Sequence, residues 1–392
     1  MPAGNINIYV QITNRTRQWY DVAIRRLYSS PFLYGASYDL FVRTICPSIL
    51  PHIKRSELAG LVQVLDLSHI VHQGNKSTTA RLLGRTKSSL EVFIAPQASF
   101  AINCWASLSK CSRLKTLDLS LVSECISYQS LNQTVRQLSE LTTLCLPRCS
   151  ATYDSMLNLS MNVRWPPRLQ HLQLSGSVHG KFLWDMLRQP DTFPPTMTSL
   201  NISHCPVLDH HGIRPLLKNL ADTLTNVELH NLPSVRQGRF NRILDWLPKL
   251  RRLTMSVEYI SGGFGVHLTA PPYPYDPKPL EALTLVTSDI LSIDATQNFS
   301  AVDLFSLIDD RVLGRLRFLN IAASTGWEKG PESAELEAIE RLMIVEVDRE
   351  NWERRRWHYE GLRVEEKMSY GAWLSTRVGR EMRPRVRVLK DC

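Results

Sequence analysis

Apolar residues return along this chain in one frame. An aliphatic residue is followed by two polar or small ones, then by two more aliphatic residues with a single position between them. The frame is clearest at Leu114, Leu117 and Leu119 (LKTLDLS), at Leu141, Leu144 and Leu146 (LTTLCLP), and at Leu169, Leu172 and Leu174 (LQHLQLS). Further copies begin at Met197, Leu224 and Leu250, and weaker ones at Val62, Leu90, Leu280 and Leu316. The starts of these ten copies are separated by 28, 24, 27, 28, 28, 27, 26, 30 and 36 residues. Alternation over the last three frame positions predicts a short strand with one face inward. The residues between frames have helical period. In PVLDHHGIRPLLKNLADTL, residues Leu208, Ile213, Leu216, Leu217 and Leu220 fall on one helix face.

A strand–helix unit repeated at this period is the signature of leucine-rich repeats. The predicted fold is therefore an α/β leucine-rich-repeat solenoid of about ten strand–helix repeats, with a concave parallel sheet and helical N- and C-terminal caps. No single unit buries its own apolar side, so neighbouring repeats share one elongated core. Cys205, after the frame at Met197, and Cys149, after the frame at Leu141, stand where the cysteine-containing class of these repeats carries its Cys. Both are read as small buried residues at a tight turn.

The segments outside the frame set the boundaries. Residues 1–13 match nothing. Residues 14–60 read as a helical cap, residues 61–330 as the repeats, and residues 331–392 as a charged helical cap ending in a loose basic tail (MRPRVRVLKDC). Within the repeats, residues 256–279 contain SGGFG and APPYPYDPKP and read as an irregular protruding loop. In the C-terminal part, Leu336, Ile339, Leu342, Met343 and Val347 lie at helical spacing.

Charge and chemistry change this picture little. The net charge is +9, but Lys and Arg are interleaved with acids. Arg354, Arg355 and Arg356 have Glu350, Glu353 and Glu360 around them, which favours a solvated helix over a nucleic-acid patch. The eight cysteines show no Cys-x-x-Cys pair, and zinc spacing is absent. No secretory signal and no run of 18 apolar residues is present, so a reduced cytoplasmic or nuclear protein without a membrane span is expected. His204, Cys205, Asp209, His210 and His211 cluster, but adjacent helix positions diverge and are not expected to converge on a metal. Gly262, Gly263 and Gly265 lack the Lys-Ser/Thr of a phosphate loop, and no Gly-x-Ser-x-Gly elbow occurs. No catalytic, cofactor-binding or metal-binding residue is expected.

The better candidate is the concave strand face. Its outward residues include Lys115, Asp118, Gln170, His171, Gln173, Asn201, Asn226, Glu228 and Arg252. These rows are mixed in charge, which suits a target protein more than phosphate backbone.

A family resemblance enters at the N-terminus. Arg17-Gln18-Trp19-Tyr20-Asp21-Val22-Ala23 with Leu27-Tyr28 resembles the last helix of an F-box. The stretch that follows, through FVRTICPSI and the repeats, is similar to fungal F-box proteins with leucine-rich repeats, over most of residues 14–325. The family's opening Leu-Pro-x-Glu helix has no match in MPAGNINIYVQIT, so the F-box is expected to be N-terminally truncated. The resemblance implies a substrate receptor of a cullin-type (SCF) ubiquitin ligase. Trp19, Tyr20 and Leu27 would then face a Skp-type adaptor joined to the cullin core, and the repeats would hold an unknown target. The alternative is a repeat scaffold with no ligase link.

Overall fold

The computed structural model describes residues 17–47, 56–70, 76–123, 128–147, 165–176, 178, 193–266, 277–288, 298–329, 332–353 and 369–390. The chain divides into two compact units. One comprises Met1–Val178 with Asp185–Met197, the other His179–Trp184 with Thr198–Cys392.

In the first unit, helices α1 (Arg17–Ser29) and α2 (Ala36–Ile45) precede the first strand. Then strands and helices alternate: β1 (Val64–Asp66), α3 (Lys76–Thr86), β2 (Val92–Ile94), α4 (Ile102–Leu108), β3 (Thr116–Asp118), α5 (Tyr128–Val135), β4 (Thr143–Cys145) and β5 (His171–Ser175). All pairings from β1 to β5 are parallel and join the same frame positions, Leu65 to Phe93, Leu117, Leu144 and Leu172. The ladder is carried at one point of each repeat: the Lys115 N–H bonds Glu91 O, Thr142 bonds Lys115 O, and Gln170 bonds Thr142 O, each at 2.8 Å.

The second unit repeats the plan with longer strands: β6 (Ser199–Ser203), α6 (His210–Asn219), β7 (Asn226–His230), α7 (Ile243–Trp246), β8 (Arg252–Ser256), β9 (Ala282–Val286), α8 (Ala301–Asp309) and β10 (Phe318–Ala322). Its strands too are parallel neighbours in frame register. Helix starts follow local chemistry. Asp209 caps α6 by accepting from the Gly212 N–H at 3.1 Å, and Ser300 with Asp303 forms a capping box on α8.

The frame explains the core. None of its inward side chains, from Val62 to Ile321, is more than 4% exposed. Each aliphatic one contributes roughly 1.5–3 kcal/mol of gross burial energy. Cys205 is fully buried, its thiol 3.4 Å from Ser203 O, and burial pushes it up to about 12. It is a packing residue, as its place in the repeat predicts. Cys149 lies outside the described residues.

Two expectations need correction. The part of 256–279 that is described is packed rather than protruding. Residues Tyr259, Ile260 and Phe264 are buried, and the Phe264 ring meets Phe299 at 5.3 Å. The glycines serve this packing. A Cβ on Gly263 would come within 2.8 Å of the Asn241 amide, which is itself clasped to Ser261 by bonds of 2.8 and 3.0 Å. Residues 267–276, with most of the Pro-rich run, lie outside the described residues.

The second correction is the C-terminus. Helix α9 (Glu332–Leu342) does bury Leu336, Ile339 and Leu342, with Met343 and Val347 following in a π turn. Arg311 ties this cap down by bonds of 2.7 Å to Glu346 and 2.9 Å to Glu350. Two short helices, α10 (Tyr370–Ser375) and α11 (Arg377–Met382), lead to β11 (Arg385–Leu389). The basic tail is thus a strand, parallel to β10, with Val386 opposite Leu319 and Val388 opposite Ile321. Its Arg-Val alternation supplies the period of two that a strand needs, and its arginines suit an edge.

Two substitutions test this account. Leu117→Asp buries an unpaired charge at the centre of the β2–β3–β4 stack. It should abolish soluble folded protein or lower the melting temperature sharply; unchanged yield and melting would refute the inward assignment. Tyr259→Phe is gentler. The Tyr259 hydroxyl accepts from the buried Leu232 N–H at 2.6 Å, so its loss should cost about 1–3 kcal/mol in urea unfolding.

Candidate functional site

The open face of the strands is built by the residues that alternate with the buried frame. In the first unit, the registered pairings bring Val64, Val92, Thr116, Thr143 and His171 into one row. Asp66, Ile94, Asp118, Cys145 and Gln173 form a second. This face is small and partly apolar. Its two carboxylates are engaged locally: Asp66 accepts from the Ser68 N–H at 2.9 Å and Asp118 from the Ser120 N–H at 2.8 Å. Both occur in the same LDLS sequence, and both hold the turn that leaves the strand.

In the second unit the rows are mostly polar, with Ala282 and Phe318 as the apolar members. Ser199, Asn226, Arg252, Ala282, Phe318 and Arg385 align in one row. Asn201, Glu228, Thr254, Thr284, Asn320 and Arg387 align in the other. Neighbours bond across strands. The Asn201 amide donates to Glu228 at 2.6 Å, and the Asn320 amide to Thr284 Oγ1 at 3.1 Å.

The residues singled out from sequence therefore divide. Asp118, His171, Gln173, Asn201, Asn226, Glu228 and Arg252 lie on the face. Lys115 and Gln170 sit one position before their strands, at its edge. Lys115 is also committed: its ammonium lies 2.8 Å from Glu91, which Arg113 approaches at 3.2 Å. The Lys115 hydrogen bond is the main reason the Glu91 carboxyl is held below its ordinary range. Gln173 donates to Ser175 at 3.3 Å. Arg252 and Gln170 are exposed.

Sequence reading missed Thr254, Thr284 and Asn320, whose register with Glu228 follows directly from the frame. It also missed Arg385 and Arg387, which no frame announced. On α1, Leu27 is half-buried, while the side chains of Trp19 and Tyr20 lie outside the described residues, as do Arg354–Arg356.

At the C-terminal ends of β6 and β7 a histidine-rich rim appears. His204 and Asn231 occupy equivalent positions and both take positive φ, 56° and 53°. The Asn231 amide lies 3.0 Å from His204 Nε2, and the His204 and His230 rings meet edge-on at 5.6 Å. His210 and His211 do not diverge as expected; their rings lie 4.2 Å apart. Among the described residues no three His, Cys, Asp or Glu side chains form a metal-holding group, and no helix is long and apolar enough to cross a membrane.

With this geometry in place, comparison with known proteins finds relatives among fungal proteins. No family model matches the chain. It is 31% identical to the F-box protein YDR306C of Saccharomyces cerevisiae over 323 residues, 82% of this chain and 64% of that protein. This relative is a fungal protein named for its F-box. The protein pof5 of Schizosaccharomyces pombe is 27% identical over 328 residues, 83% of this chain and 87% of its own length. The chain thus spans less than two thirds of the first relative. Among solved structures, that of the TLR13–ssRNA13 complex covers 67% of this chain and 39% of its own, at 15% identity and a TM-score of 0.36.

The rim gives a pH prediction. Burial, and then the neighbouring His204, hold the His230 imidazole below its ordinary 6.5. Its stabilising contribution is complete above that value. It is lost as pH falls through 6.5 toward the folded-state pKa, because the unfolded chain takes the proton first. His210 is shifted the same way, chiefly by burial. Melting temperature should therefore drop between about pH 7.5 and 5.5, and His230→Gln should shrink the drop without removing it. An unaltered drop in that variant would exclude His230 as a source.

Proposed function

We propose that this chain is a non-catalytic protein-binding module. It acts as a substrate receptor of a cullin-type ubiquitin ligase that presents a target protein to the ligase from its repeat face. Relatedness to a protein named for its F-box is the observation that carries the ligase link. The in-register polar rows of the second unit support the binding role. Amides, hydroxyls and three arginines, one on β8 and two on β11, offer many weak, shape-dependent contacts to a folded protein surface. A single-sign field, which phosphate backbone demands, is absent from those rows.

In this reading α1 and α2 lie on the adaptor side, and Trp19, Tyr20 and Leu27 contribute to it. The chain raises the local concentration of a target lysine near the charged ubiquitin carrier and does no bond-making itself. Such a role places the protein in the cytoplasm or nucleus. A repeat scaffold without a ligase link is the competing reading, and the same experiment separates them.

The test is co-purification of a Skp-type adaptor with the chain, and with the chain extended by a Leu-Pro-x-Glu helix at its N-terminus, at equal expression. Helices α1 and α2 alone bury less than a complete three-helix module would, and specific interfaces generally need on the order of 1,000 Å² or more. The extended chain should retain the adaptor and the unextended chain should hold it weakly. Gln170→Arg with Arg252→Glu should leave adaptor retention intact and change the set of co-purified targets. An extended, folded chain that retains no adaptor would favour the scaffold.

A further inference from the structure

A second site stands apart from the strand face. The loops that follow β6 and β7 enclose a cleft of about 740 Å³, lined by Val207, Asp209, His210, Ser234, Arg236 and Arg239 among others. That volume falls in the range of about 300–1,000 Å³ typical of small-ligand sites. The two walls are fastened together, because the Ser234 hydroxyl donates to Pro206 O at 2.6 Å. Arg236 and Arg239 lie on one turn, with the Arg239 N–H on Arg236 O at 3.4 Å.

The charges in this cleft do not balance internally. Both arginines are exposed, and among the described residues neither has an ion-pair partner. Among the described lining residues Asp209 is the one carboxylate, and its Oδ1 is occupied by the Gly212 N–H. The ten-residue helix α6 starts at the same place. Its first-turn N–H groups at His210 and His211 have no intrahelical acceptor, and its dipole is positive there. Arg214, one turn further on, is held over the Trp246 ring at 5.2 Å and adds to the positive field. Like charges gathered in a concave site repel one another, and an anion relieves that repulsion.

We propose that this cleft binds a phosphate monoester. Arg236 and Arg239 would take its oxygens in charge-assisted hydrogen bonds, with the start of α6 facing the same group. A lone carboxylate is satisfied by one guanidinium fork; two guanidiniums and a helix start suit a group with three terminal oxygens. The remaining volume, walled by Val207 and Pro233, accommodates what carries the phosphate. A phosphorylated peptide side chain and a free phosphate ester share this chemistry. The proposal does not rest on the ligase reading.

The experiment is calorimetric titration of the full chain at fixed ionic strength. The probes are a phosphoserine hexapeptide, its unphosphorylated twin and glycerol 3-phosphate. Saturable binding of a phosphorylated probe, none of the twin, and weakening of at least about tenfold in Arg236→Gln/Arg239→Gln are expected. Arg251→Gln, exposed and outside the cleft, should bind as the parent does. A tighter peptide identifies a protein source, and a tighter glycerol phosphate a small ester. Absence of saturation with both phosphorylated probes overturns the proposal, as does parental affinity in the double variant. Melting temperature confirms that the variants are folded; should the double variant melt early, single Arg236→Gln is held to the same criterion.

Discussion

Everything in this protein depends on side chains that no repeat can bury alone. A strand of three to five residues with one helix behind it covers only part of its own Leu-x-x-Leu-x-Leu set. The remainder is covered by the repeats on either side, and the backbone polar groups of each strand are satisfied by the same neighbours. The two requirements coincide in space. The register that aligns Leu65 with Phe93, Leu117 and Leu144 also aligns the carbonyl of Glu91 with the N–H of Lys115. A shift of one residue would break both at once, which is why spacings of 24 and 28 residues between frames yield the same pairing: the difference in length is absorbed on the helical side.

Where a repeat departs from the pattern, backbone N–H groups at the neighbouring turns find side-chain acceptors instead. Glu258 stands eight residues after the frame's first position, where Cys205 stands in its own repeat. Burying a carboxylate there is costly, yet its Oε1 accepts from the Ser288 N–H at 2.8 Å, the equivalent position of the next repeat. Tyr259, beside it, reaches the opposite way to the Leu232 N–H. One irregular segment thus satisfies the turn before it and the turn after it. Its following glycines let the chain pass close to Asn241.

These particulars show what sequence can and cannot reveal. The frame is legible because the inward positions must be apolar at a fixed spacing. Rows on the open face follow from it, so the alignment of Asn201 with Glu228 was readable in principle. Whether two aligned residues satisfy each other was not, since that depends on rotamers. Lys115 illustrates the limit: its position near the face was evident, while its commitment to Glu91 was not. Strand β11 escaped for a different reason. An edge strand has one neighbour, so its inward positions need not be fully buried, and Val388 remains 40% exposed. With burial relaxed, the leucine frame is relaxed as well, and RVRVL reads as a basic tail until its partner Leu319 is known. The cleft between the loops after β6 and β7 was hidden because His210 and Arg236 lie in successive repeats at positions that carry no pattern.

Inward positions being fixed, the outward ones are where such a chain can differ from its relatives without losing its fold. The open face of the second unit is already partly self-satisfied, through Asn201 with Glu228 and Asn320 with Thr284. A partner that docks there must exchange those bonds for its own, so the exchange contributes geometry more than energy. On the proposed reading, affinity would then depend on side chains the face leaves exposed, Arg252 on β8 and Arg385 and Arg387 on β11. A target that met all three would need acidic groups roughly 14 Å apart, since three strand spacings of about 4.8 Å separate β8 from β11. On that reading, the strand ladder that holds the core together is also the ruler against which a partner would be measured.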